Sequence, residues 1–283
     1  MSNLTRRSLF ASGAGVAALS VTGCGLIGGA SDGPQEKKGV TEIKIGASPK
    51  PHAEILQFVQ DKLAKDAGLS LKITTYTDYQ IPNQALSDGD IDANYYQNQP
   101  FLDEQEKKKG YDFFAFKGVH IEPLGLYSEK ITKLDELKDG DEIAIANDPT
   151  NRGRGLGLLA EAGLITLKKG VEVTSATTGD VDENPQKLKF TEVESAQIPR
   201  SLGDFAAGVV NGNYAIDAGL KPSKDAIVLE KSDAKNPYAN FVVARTEEKD
   251  NAGLKKLDEL LHSDKVKDFI TRTYTDGSVI PAF

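Results

Sequence analysis

Residues 42–47 form a short β-rich run, 53–67 a helical pattern with Ile55, Leu56, Val59 and Leu63 on one face, and 69–76 a second β-rich run. This is a βαβ unit, and a helical crossover of that length joins two parallel strands of one sheet. The alternation continues to the C-terminus. The pattern predicts a short helix near 82–87, a strand at 91–95, a charged helix over 101–109, and strands at 113–117 and 123–127, where a first lobe ends. A second α/β series follows. It has strands at 142–146, 165–168 and 187–193, helices at 150–162 and near 196–202, a strand at 205–210, a helix from Asn211 and a strand at 226–230. A strand at 240–245 and helices at 252–262 and 264–274 finish the chain. Crossings near 127–132 and 236–241 imply two lobes with a cleft between them, 40–129 plus 238–283 and 130–237. The alternative is one doubly wound domain of about 240 residues, large for a single core.

Composition narrows what this α/β chain can do. Of 283 residues 42 are acidic and 34 basic, a formal net charge of −8, which argues against nucleic acid as a partner. A single cysteine and three histidines (His52, His120 and His262) rule out a disulfide within the chain, a zinc–cysteine cluster or an iron–sulfur site, and no cofactor is expected. His52 follows Pro51 at a helix start and His262 ends a helix, places where a solvated or capping histidine is common. There is no G-x-S-x-G elbow and no H-E-x-x-H, so no enzyme signature is present. A carboxylate-pair hydrolase leaves no local signature and stays open as an alternative.

The N-terminus reads as an address. Arg6-Arg7, between Thr5 and Ser8-Leu9-Phe10, precedes an uncharged, small-residue run from Ala11 to Gly23, the pattern of a signal peptide over 1–23. The arginine pair resembles a twin-arginine export signal, with general secretion as the other route. The run is too short to remain as a membrane span. It closes on Val21-Thr22-Gly23-Cys24, which looks like a lipobox, so the only cysteine is the expected lipidation site. Residues 24–39, rich in Gly, Ser, Asp and Lys, read as a flexible tether.

Two segments carry candidate binding chemistry. In Asn147-Asp148-Pro149-Thr150-Asn151-Arg152-Gly153-Arg154 a strand runs through a turn into a helix, so free backbone N–H groups at the helix N-terminus, with Arg154 and Asn151 beside them, suit a carboxylate. Plain capping by Thr150 or Asn151 with a solvated Arg154 is the alternative. The alternating Gly153, Gly155 and Gly157 fit neither a dinucleotide fingerprint nor a P-loop. The second segment mixes aromatics and amides just past strand ends: Thr77-Asp78-Tyr79 and Tyr95-Tyr96-Gln97-Asn98-Gln99-Pro100-Phe101, as a small-molecule pocket needs. Strand alternation places Tyr95 and Tyr96 on opposite faces.

Pro51-His52-Ala53-Glu54-Ile55-Leu56, Thr77-Asp78-Tyr79, Ile91-Asp92-Ala93-Asn94-Tyr95, Leu126-Tyr127-Ser128, Asn147–Asn151 with Arg154, and Asn236-Pro237-Tyr238-Ala239-Asn240 together resemble the NlpA lipoprotein family, in order from Glu42 to Phe283. The resemblance implies an α/β, two-lobed periplasmic-binding-protein fold of type II, a Venus flytrap with a ligand cleft between lobes. It implies a non-enzymatic, lipid-anchored monomer on the extracytoplasmic face of the cell membrane, which captures methionine and delivers it to an ABC permease and its ATPase. Carried over residue by residue, Asn151 and Arg154 resemble the holders of the ligand's carboxylate. Asn211 and Asn240 resemble amides that complete the polar shell, and Tyr79, Tyr96, Asn98 and Phe101 match positions lining the side-chain pocket. Family members commonly have Tyr-Phe-Gln-His and then a Pro-Tyr pair, where this chain has Tyr96, Asn98 and Phe101 as departures. L-methionine is therefore the expected ligand, with D-methionine, a methionine dipeptide or another amino acid as competitors. From a different class, an exported enzyme acting on a small amino-acid derivative is the alternative.

Overall fold

The computed structural model describes residues 33–231 and 236–283, so the signal peptide, Cys24 and most of the expected tether lie outside the described residues. The first sheet has seven strands, in the order Glu36–Lys37, Val40–Ala47, Ala93–Asn98, Asn240–Arg245, Phe113–Ile121 and Ile280–Pro281, with Leu69–Thr75 also pairing to Val40–Ala47. The expected βαβ unit is its parallel part: Ile45 registers with Ile73 on one neighbour and Ala93 on the other. The sheet is mixed, because the strand at 240–245 returns from far along the chain and inserts antiparallel between two others. All six of its residues are buried, so this lobe has no centre without the C-terminal segment.

The second sheet runs Ala226–Leu229, Gly125–Tyr127, Ala207–Val210, Glu142–Ala146, Lys189–Val193. The strand expected at 165–168 does not form. Leu167 makes only an isolated bridge to Val181, and the two lysines that follow lead into Gly170 at positive φ. The strand Gly125–Tyr127 belongs to this second sheet, although the sequence pattern groups it with the first. Pro123, which has no N–H to give a ladder, follows the long strand Phe113–Ile121, and the chain crosses between sheets at 122–124. It crosses back between Leu229 and Asn240. Each sheet has its own apolar core, so the molecule is two-lobed.

Local chemistry explains the ends of these elements. The helix after the first strand buries Ile55, Leu56, Val59 and Leu63, the face predicted for it, and stops where Gly68 takes φ 71°. In the stretch expected as a tether, Lys38 and Gly39 take φ 56° and 80°, the conformation a tight hairpin turn needs, and Glu36–Lys37 pairs back on Val40 and Thr41. The helices Ala252–Leu261 and Asp264–Thr273 bury Leu254, Leu257, Leu261, Val266 and Ile270 in the first core. No helix among the described residues is long and apolar enough to cross a membrane.

Candidate ligand-binding site

A cavity lies where the strand ends of the two sheets meet. All eight residues singled out in the sequence line it: Tyr79, Tyr96, Asn98, Phe101, Asn151, Arg154, Asn211 and Asn240. Tyr79 stands in the loop after Leu69–Thr75, and Tyr96 and Asn98 end the strand Ala93–Asn98. Asn151 and Arg154 lie in the first half of the helix Pro149–Glu161, and Asn211 precedes the helix Gly212–Asp217. Asn240 opens the central strand of the first lobe. The cavity also takes in His52, Gln97, Glu122, Gly212 and Asn213, which the sequence did not single out as ligand contacts.

One wall is aromatic. The rings of Tyr79, Tyr96 and Phe101 lie 5.8–6.1 Å apart, edge-on or tilted, and Tyr214 lies 4.9 Å from Tyr79. Alternation along the strand works as expected: Tyr96 faces the cavity, while Tyr95 is fully buried in the first core. Hydroxyls fasten the wall across the cleft. Tyr79 donates to Asn213 Oδ1 at 2.6 Å, and Tyr214 donates to the Thr77 carbonyl at 3.1 Å. Burial holds the Tyr79 and Tyr96 phenols well above their ordinary range, so both are neutral donors. Asn98 caps the helix Gln99–Lys109 by accepting from Phe101 N–H at 3.2 Å.

Arg154 is buried and already engaged. Its Nε and Nη2 bind the two carboxylate oxygens of Glu230 at 2.9 and 2.5 Å, Nη2 also donates to the Glu122 carbonyl at 3.0 Å, and the guanidinium lies 4.0 Å over the Tyr238 ring. Burial opposes the charge, but Glu230 and its hydrogen bonds, with Tyr238 and Glu122, outweigh it and hold the guanidinium pKa above its usual value. The solvated arginine of the alternative reading is therefore excluded. Its Nη1 makes no hydrogen bond to the described residues.

The helix N-terminus beside it differs from expectation. Neither Thr150 nor Asn151 is the cap. Asp148 is, accepting from Asn151 N–H at 2.9 Å, so the N–H groups expected to be open to an anion already face a carboxylate. Asn151 uses both ends of its amide within the protein: Nδ2 donates to Asp148 at 3.1 Å, and Oδ1 accepts from Asn211 Nδ2 at 2.7 Å. Asn211 is thereby fixed, and its side-chain oxygen takes no hydrogen bond from the described residues. Among the described residues, Asn213 Nδ2 is buried without a partner.

The opposite side holds three buried titratable groups. His120 Nε2 lies 2.7 Å and His52 Nε2 3.3 Å from the same oxygen of Glu122, Oε1. His52 Nε2 also meets Asn240 Oδ1 at 3.1 Å, and His120 Nδ1 is hydrogen-bonded to the Tyr95 hydroxyl. His52 is not the solvated or capping histidine expected at a helix start; it is 1% exposed. Burial pulls the two imidazole pKa values down to about 4 and about 3, so both are neutral, and burial pushes the Glu122 carboxyl up. Two histidines and a carboxylate, with ligating atoms within 4.8 Å of one another, are also the donor set among the described residues that could hold a metal ion. The sequence did carry a signal for part of this group. His120 and Glu122 are two residues apart at the end of a strand, so alternation turns them to one side.

The model of the NlpA lipoprotein family matches residues 43–283. The chain belongs to the NlpA lipoprotein family. Among its relatives, the D-methionine-binding lipoprotein MetQ of Escherichia coli K12 is 41% identical over 276 residues, covering 96% of this chain and 97% of that protein. The structure of a nutrient binding protein from Burkholderia cenocepacia bound to methionine matches with a TM-score of 0.81 at 42% identity, over 85% of this chain and all of that one. A periplasmic substrate-binding protein of an ABC transporter from Coxiella burnetii matches with a TM-score of 0.80 at 40% identity, again over 85% of this chain and all of that one. The fold of this NlpA chain is accordingly the two-lobed α/β fold of periplasmic substrate-binding proteins.

Proposed function

We propose that this NlpA lipoprotein is the solute-binding component of an ABC importer. It captures methionine or a closely related amino acid between its lobes and hands it to a permease driven by a separate ATPase. The observation that carries this is the cavity itself: it brings Arg154, five asparagines and a three-ring aromatic wall together, with Asn213 Nδ2 unpartnered among the described residues, in a family with a methionine-bound relative. Arg154 Nη1 and Asn213 Nδ2 suit a carboxylate, Asn211 and Asn240 complete the polar shell, and Tyr79, Tyr96 and Phe101 suit a polarizable thioether. Asn151 acts by orienting Asn211, and Asn98 by holding Phe101 at its helix start. Contacts divided between lobes favour closure when ligand is present. The lobes correspond to the two sheets, the protein acts as a monomer, and it binds its ligand without transforming it. Acylated Cys24 tethers it to the extracytoplasmic face of the membrane.

The test is calorimetric titration of the purified protein, unfolded and refolded to strip retained ligand, against L-methionine, D-methionine, methionine dipeptides and the other amino acids. Heat with methionine and recovery of the ligand unchanged is expected. Chemical conversion of the ligand would instead support an exported enzyme, and no heat with any of these compounds would end the importer reading. For the anchor, Cys24→Ala should release the protein from membranes, and a variant that stays membrane-bound would refute it.

A further inference from the structure

Gly33 and Pro34 stand in the stretch whose composition reads as a tether, yet both are buried. Two side chains 215 and 217 residues downstream hold their backbone. Gly33 N–H donates to Glu248 Oε1 at 2.9 Å, and the Pro34 carbonyl accepts from Asn251 Nδ2 at 3.0 Å. The same Nδ2 donates to Glu248 Oε2 at 3.1 Å, so the two side chains brace each other. The clasp is built into the first lobe. Asn251 Oδ1 caps the helix Ala252–Leu261 by accepting from Gly253 and Leu254 N–H, and Thr246, at the start of the turn that carries Glu248, is bonded to Asp112 through its backbone N–H and its hydroxyl. The fit requires glycine, because a Cβ built on Gly33 would lie 2.0 Å from Glu248 Cδ. Backbone groups taken from water need partners, and here the lobe supplies them. Beyond Pro34 the hairpin of Glu36–Lys37 on Val40–Thr41 completes the strap.

We infer that Glu248 and Asn251 fix the point from which the lipid anchor leaves the protein: they hold the strap 33–37 on the first lobe, so that the end of this lobe away from the ligand cavity faces the bilayer. This rests on the reading of Cys24 as the acylated residue. The strand Asn240–Arg245 gives the separation. Asn240 lines the cavity and Thr246 begins the turn that holds the strap, about 20 Å away at the rise of an extended strand. Cys24 precedes Gly33 by nine residues and Val40 by sixteen. At full extension the acylated residue can thus lie at most about 30 Å from the clasp, against about 55 Å from Val40 were the strap free. The docked strap keeps one end of the first lobe near the membrane and keeps the tether clear of the cavity.

The experiment uses protein purified from membranes and has two readouts. Hydrogen exchange followed by mass spectrometry reads the clasp. The amides of 33–37 should exchange about 10-fold or more slowly in wild type than in Gly33→Ala, whose Cβ meets the Glu248 carboxylate, or in Asn251→Asp, which keeps the helix cap but offers Pro34 no donor. Neither variant touches a core residue, and equal exchange in all three proteins overturns the clasp. Energy transfer reads the orientation. On phosphatidylcholine vesicles with an acceptor dye on the headgroups, a donor on Glu247→Cys, exposed beside the clasp, should transfer more strongly than a donor on Lys169→Cys, exposed in the second lobe. Adding Gly33→Ala should bring the two positions together. Equal transfer in the wild-type background, or a difference that persists with Gly33→Ala, overturns the inference. The anchor reading fails separately: an acylated Cys24 has no thiol to label, so a chain without an introduced cysteine that takes up the donor ends that reading, while the exchange result still judges the clasp.

Discussion

The two polar ends of the cavity are built on opposite plans. At one end Arg154 is clamped before any ligand arrives, by Glu230, the Glu122 carbonyl and the Tyr238 ring. At the other, the Glu122 carboxylate lies against the neutral imidazoles of His120 and His52, with the Arg154 charge acting on it without a side-chain hydrogen bond among the described residues. A pre-paired cation is stiff and presents one remaining edge, whereas an acid hydrogen-bonded by neutral donors is held by weaker contacts. The clamps on Arg154 also come from both crossings between the lobes: Glu122 stands on the first, and Glu230 and Tyr238 on the second. The basic end is therefore tied to the segments that join the two lobes, and the acidic end is anchored in the first lobe through Tyr95 and Asn240.

Breaking the basic end should give the largest effect. Arg154→Ala removes the remaining Nη1 donor and leaves the partly buried Glu230 without its cation, so binding of an amino-acid ligand should weaken by about 2–5 kcal/mol. Calorimetry on the refolded variant checks this, and unchanged affinity would remove Arg154 from the site.

Acidification probes the other end. With folded pKa values of about 4 for His52 and about 3 for His120 against an ordinary 6.5, the unfolded chain binds more protons between those limits. The stabilising contribution of the neutral imidazoles is complete above pH 6.5 and is lost as pH falls through 4 and then 3. Glu122, held up by burial, has the opposite sign and offsets part of the loss. Urea midpoints of ligand-free protein should thus fall between pH 7 and pH 4.5, and His120→Gln, which keeps an N–H for Glu122, should fall less. Equal slopes for the two proteins would show that His120 titrates normally.

The contrast between the ends also marks where the sequence was readable. Strand alternation separated Tyr96 from Tyr95, and the strand-to-helix turn at 147–151 located Arg154, because both signals are local. The partner of Arg154, Glu230, is 76 residues away and belongs to a crossing that no periodicity announces. His52 was hidden for a related reason: a histidine beside a proline at a helix start reads as solvent-exposed until the strand bearing Asn240 arrives from 188 residues downstream to bury it. The grouping of Gly125–Tyr127 with the first sheet has the same origin, since it is as apolar as a strand of either sheet and only its partners, Ala207–Val210 and Ala226–Leu229, decide. Asp148 shows the limit of a capping argument, because Asp, Thr and Asn stand within four residues and each is a competent cap.

A milder change separates the clamp on Arg154 from its charge. Glu230→Gln keeps a side-chain oxygen able to accept one guanidinium N–H but loses the ionic, two-pronged pairing. Hydrogen bonds to charged groups contribute about 1.5–3 kcal/mol, and stability measured by urea unfolding at pH 7 should drop within that range. No drop would mean that Tyr238 and the Glu122 carbonyl suffice to hold Arg154.

The smallest effect is expected at Asn98, where this chain departs from the pattern common in its family. Its side chain caps the helix Gln99–Lys109 by accepting from Phe101 N–H, and Phe101 is the third ring of the wall. Asn98→Ala should therefore cost about 1 kcal/mol of stability through the lost cap, with a ligand affinity that weakens only as far as Phe101 shifts. Asn98→Asp keeps the cap and adds a negative charge on the aromatic side of the cavity, so it separates the two roles. If stability is retained while binding of an amino acid weakens, Asn98 faces the ligand in addition to holding the helix. If both are retained, its place in the site is to position Phe101, and the polar ends of the cavity carry the recognition of charge.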